Sequence, residues 1–105
     1  MKVKKGDWKT IIDWLGGNKF AVMVGMKDLV FAYDKDGYVG IRLKFGKNRT
    51  KANTLVVQYN KYDLYDVAFW RIGRSGASLI EEFSNVYGED LQRVFTEVTG
   101  LQTSL

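Results

Sequence analysis

The strongest constraint on this chain is a series of short alternating segments joined by turns too short to carry a crossover. The clearest runs from Val39 to Phe45. There Val39, Ile41, Leu43 and Phe45 share one side, and Tyr38, Gly40, Arg42 and Lys44 share the other. Successive side chains on a strand point to opposite faces, so this is the pattern of a half-buried strand. Before it, Leu29 to Tyr33 leads into Asp34-Lys35-Asp36-Gly37, a hairpin signal with Asp-Gly at its tip. After it come Leu55 to Tyr59, a turn at Asn60-Lys61, a long strand from Tyr62 to Ile72, a turn at Gly73-Arg74-Ser75-Gly76, and a last strand from Ala77 to Phe83. Phe20 to Val24, apolar on both faces, reads as a further, well-covered strand. Parallel neighbours need long connections, so these short ones demand antiparallel pairing.

Both ends change to a helical period. Asp7 is placed to cap a helix whose stripe is Trp8, Ile11, Ile12 and Leu15, and Gly16-Gly17-Asn18 ends it. Trp14 falls beside the stripe. At the other end Tyr87, Leu91, Val94, Phe95 and Val98 form a second stripe, with Glu89 and Asp90 early, where the helix dipole favours acids. Thr99-Gly100-Leu101 reads as a Schellman stop. The expected fold is therefore α+β: one domain over 1–105, an antiparallel meander of five to six strands with an N-terminal and a C-terminal helix.

Composition narrows the chemistry. Among 105 residues there is no His, Cys or Pro. The commonest general base near neutral pH and the thiolate nucleophile are missing, as are the usual ligands of zinc, iron–sulfur and haem sites. Gly46-Lys47 is not a phosphate loop: Gly40 lies one residue too far back, and Asn48 stands where a magnesium-binding Ser or Thr belongs. Asp34-Lys35-Asp36-Gly37 lacks the later ligands of a calcium loop. Asp63 and Asp66 are three apart on a strand and point to opposite faces. Only a pair assembled from distant strands, such as Asp66 with Glu81, would bring two acids together. The expectation is a non-enzymatic protein with no cofactor and no metal.

Charge points toward binding. Net charge is +4, and 15 of the 16 Lys and Arg residues fall within residues 1–76. Arg42 to Lys51 holds five cations and no acid. Single-strand binders set cations for phosphates beside flat rings for bases. The candidate nucleic-acid-binding set is therefore Arg42, Lys44, Lys47, Arg49 and Lys51 as phosphate contacts, with Tyr38 as the stacking partner. The alternative is a protein-interaction module, since Tyr, Trp and Arg anchor interfaces and the chain has 6 Tyr and 3 Trp. Self-association through the same surface is equally allowed. No span approaches membrane length and no apolar signal core follows the basic start, so no membrane role and a cytoplasmic location are expected.

Three blocks carry a family resemblance: Leu15-Gly16-Gly17-Asn18-Lys19-Phe20, Asp63-Leu64-Tyr65-Asp66-Val67-Ala68-Phe69, and Val86-Tyr87 followed by Phe95 and Thr99-Gly100-Leu101. In order and spacing the chain resembles a family of small proteins encoded by phage and prophage genomes. Met23 to Lys27 and Gln102 depart from that pattern. The resemblance implies an accessory protein expressed in an infected or lysogenic bacterium. It supplies no site residues.

Overall fold

The computed structural model describes residues 4–103. Helices α1 (Trp8–Leu15) and α2 (Gly17–Val24) precede five strands, β1 (Lys27–Tyr33), β2 (Val39–Lys44), β3 (Thr54–Tyr59), β4 (Tyr65–Gly73) and β5 (Gly76–Val86). A single 3-10 turn (Gly88–Asp90) then leads into α3 (Leu91–Thr99). The strands form one antiparallel sheet in the order β1-β2-β3-β4-β5, as the short connections require. This is the expected α+β meander, with five strands rather than six.

The lost strand is Phe20 to Val24, which is helical. A short apolar run does not distinguish a strand from a helix, and here the four-residue spacing prevails. Phe20 and Val24 are buried while Val22 between them is 81% exposed. Gly16 does not stop the N-terminal helix so much as bend it. Its φ of 127° is open essentially to glycine alone, and it lets α2 start immediately after α1 at a new angle. The strand expected from Tyr62 begins later, at Tyr65, because Asn60 to Asp63 form the turn between β3 and β4.

Asp7 caps α1 as expected, its Oδ1 accepting from the Lys9 N–H at 2.9 Å. Left-handed Gly100 ends α3, and its N–H donates to the Thr96 carbonyl at 2.8 Å. The Leu101 N–H donates to Thr99 Oγ1. Trp14 is 44% exposed, with its indole against Gly88.

The core lies between the helices and one face of the sheet. Ile11, Leu15, Phe20, Val24, Leu91, Val94 and Phe95 close on Val39, Ile41, Leu43, Leu55, Val57, Val67 and Phe69. Phe95 is central. Its ring meets Phe20 at 5.1 Å, Phe45 at 5.2 Å and Phe69 at 6.0 Å, so one α3 side chain joins α2 to strand and loop residues. Phe95→Ala is expected to lower unfolding free energy by about 3–5 kcal/mol, measured by urea denaturation. A loss below about 1 kcal/mol would contradict its central place.

Candidate interaction surface

The even-numbered positions of β2, β3 and β4 look away from the helices. Arg42 and Lys44 on β2, Val56 and Gln58 on β3, and Asp66, Ala68, Trp70 and Ile72 on β4 are exposed or half-buried, whereas their odd-numbered neighbours in the body of the sheet are core. Val30 of β1, paired with Arg42, is 47% exposed, and Leu79 of β5, paired with Trp70, is 44% exposed. The surface is thus a broad, shallow, partly apolar sheet face. Antiparallel register arranges it in lines across the strands. Arg42, Val56, Ala68 and Glu82 make one line, and Lys44, Thr54, Trp70 and Leu79 make the next.

Gly40 makes room on this face for the Gln58 side chain. A Cβ there would collide with Gln58 Oε1, and Gln58 Nε2 donates across the strands to the Tyr38 and Val39 carbonyls. At the same end of the sheet lies a concavity of about 870 Å³, lined by Tyr38, Tyr59, Tyr62, Asp34, Asp66 and Lys5 among others. The Lys5 ammonium stands 4.5 Å from the centre of the Tyr38 ring, and the Tyr38 ring lies 5.7 Å from that of Tyr59. Tyr59 donates its hydroxyl to Asp63. That hydrogen bond, helped by burial and the carboxylate charge, pushes the Tyr59 phenol up from 10.0 to about 12. Tyr65 is raised as well, chiefly by burial.

The six residues of the candidate nucleic-acid set are not gathered into one patch. Arg42 and Lys44 occupy the open face, and Lys44 has Asp28 3.8 Å away as an exposed, weak ion pair. Tyr38 sits at the opposite end of β2, beneath Lys5 and against Tyr59. Lys47 and Lys51 are exposed on the β2–β3 loop and share a small concavity with Arg71.

Arg49 has other employment. Its guanidinium donates to the Glu97 and Val98 carbonyls and its backbone N–H donates to the Thr99 carbonyl, so it caps the C-terminal end of α3. A cation there satisfies carbonyls that the helix leaves unpaired and meets the negative end of its dipole. Asn48 braces the same loop from within, donating to Gly46 and Ala52 carbonyls and accepting from the Thr50 N–H.

The acids are similarly dispersed. Asp66 lies on the open face and accepts from Asn60 and from the Asn85 N–H, while Glu81 pairs with Phe69 and therefore points to the opposite face. The distant pair Asp66 and Glu81 thus shares no site. Among the described residues no group of three or more acids could hold a metal ion. No family model, no curated protein and no solved structure matches the chain.

Alternation marks Arg42 and Lys44 as solvent-facing, but it does not reveal that Trp70 shares their face. Ala68, Trp70 and Ile72 fall on one side of a strand by spacing, and only the register shows which side of the sheet that is.

Two expectations follow. Arg49→Ala should cost about 1–2 kcal/mol of stability by chemical denaturation, whereas Lys47→Ala and Lys51→Ala should stay within about 0.5 kcal/mol. In an ultraviolet phenolate titration Tyr59 should ionise later than an ordinary tyrosine, and Asp63→Asn should move it back toward 10. Because the folded state holds that proton longer, Tyr59's stabilising contribution is complete below pH 10 and fades as pH rises toward about 12.

Proposed function

We propose that this chain is a non-enzymatic protein-interaction module whose docking surface is the open face of its sheet. One observation carries the reading: with the described helices on the other side, Val56, Ala68, Trp70, Ile72 and Leu79 are neighbours in an apolar cluster at the surface, and Val30 lies beyond Arg42 on β1. Contiguous apolar patches on small proteins mark interaction sites. A half-buried tryptophan beside an exposed leucine suits an interface anchor.

Nucleic acid fits less well. Asp66 and Glu82 stand on the same face as Arg42 and would repel phosphates. Arg49 is committed to α3, and Tyr38 lies far from the loop cations. The phage-type setting rests on the sequence blocks alone, and it suggests a host or phage protein as the class of partner to be modulated. No helix among the described residues is long and apolar enough to cross a membrane.

A photo-crosslinking residue placed at Val56 should capture protein, while the same residue at Lys19, exposed on α2, should not. Trp70→Ala should reduce capture at position 56. Binding of single-stranded DNA or RNA at low salt, with a salt slope flattened by Lys47→Glu, would support the polyanion reading and overturn this one.

A further inference from the structure

The line Arg42, Val56, Ala68, Glu82 runs straight across β2, β3, β4 and β5. It carries a cation at one end, an anion at the other and two apolar side chains between. Such a line is its own complement. A second copy turned by a two-fold axis in the plane of the face, parallel to the strands and passing between β3 and β4, presents the same line reversed. Arg42 of each copy then meets Glu82 of the other, and Val56 of each meets Ala68 of the other.

The same operation sets Lys44 opposite Leu79, where the lysine stem covers an exposed leucine. It sets Gln58 opposite Asp66 with no hydrogen bond between them, since the Gln58 amide N–H groups are given to carbonyls of its own chain. Thr54 meets Trp70. No like charges are opposed in these three lines. Face-to-face sheets pack about 10 Å apart, a gap that an arginine and a glutamate reaching from opposite sides can span.

We propose that the occupant of the open face is a second copy of this chain, in an isologous dimer held by reciprocal Arg42–Glu82 contacts around a Val56–Ala68–Trp70 centre. The inference rests on the docking-face reading above and names its partner. Size sets the strength. Four strands about 4.8 Å apart, each presenting about six residues at about 3.3 Å, cover roughly 400 Å² per copy in projection. That places the contact among the small, weak interfaces. The dimer should therefore be concentration-dependent, with a dissociation constant of about 10–100 µM.

Sedimentation equilibrium on the purified full chain tests this, with ultraviolet circular dichroism confirming that each variant is folded. The wild type should move from the 12.0 kDa monomer toward twice that mass as concentration rises. Arg42→Glu alone and Glu82→Arg alone should each raise the dissociation constant at least about tenfold. The double reversal should return it to within about threefold of wild type, because the line is then complementary again. A chain that stays monomeric to about 1 mM, or a dimer indifferent to both single reversals, would overturn the proposal. A monomer that is still crosslinked at position 56 by another protein would sink the second copy and leave the docking face standing.

Discussion

Everything in this molecule depends on one side of the sheet being closed by all three helices. The closure is made by aromatic contact around Phe95, which reaches Phe20, Phe45 and Phe69 at once. Burial of such rings dominates the energetics of a small core. In a domain of this size the apolar surface suffices for a single core. Among the described residues the helices all pack on one face and none covers the other.

That asymmetry explains why the surface is organised as it is. On the closed side the centre of the sheet is apolar, with Val39, Ile41, Leu43, Leu55, Val57, Val67 and Phe69 under the helices and out of reach of water. On the open side, charge and apolar groups alternate across the strands, and the lines they form follow from register alone. The β2–β3 loop belongs to the closed side through Arg49, which ties it to the end of α3. Local basic composition therefore mixes two roles, with Arg42 and Lys44 on the sheet face and Arg49 in the scaffold.

Much of the architecture was readable from periodicity. The alternation from Val39 to Phe45, the Asp-Gly hairpin and the stripe from Leu91 to Val98 each depend on neighbours in sequence, and each forms as local physics dictates. Phe20 to Val24 was not readable, because five apolar residues satisfy both periods and the decision came from tertiary burial of Phe20 against Phe95. The solvent side of β2 was readable from its cations, but the extent of the open face across β3, β4 and β5 was not, for a similar reason. A stripe says that a helix packs but not on which side of a sheet, and α1 and α3 could each have chosen either. The cap that Arg49 places on α3 was not readable either, because a contact 48 residues away leaves no trace in spacing. Tyr38 shares a strand side with Arg42 and Lys44, but rings aligned in sequence diverge in space when one lies at the strand's far end.

The outer strands carry a consequence of their own. β1 is broken by an irregularity at Asp28, where φ is 53°, and β5 by two register shifts and a left-handed Asn85 at φ 56°. Kinked margins present no straight ladder of unpaired amides to an incoming strand. The meander thus ends at five strands without closing into a barrel, and it resists fibre-like growth along the direction in which sheets usually extend.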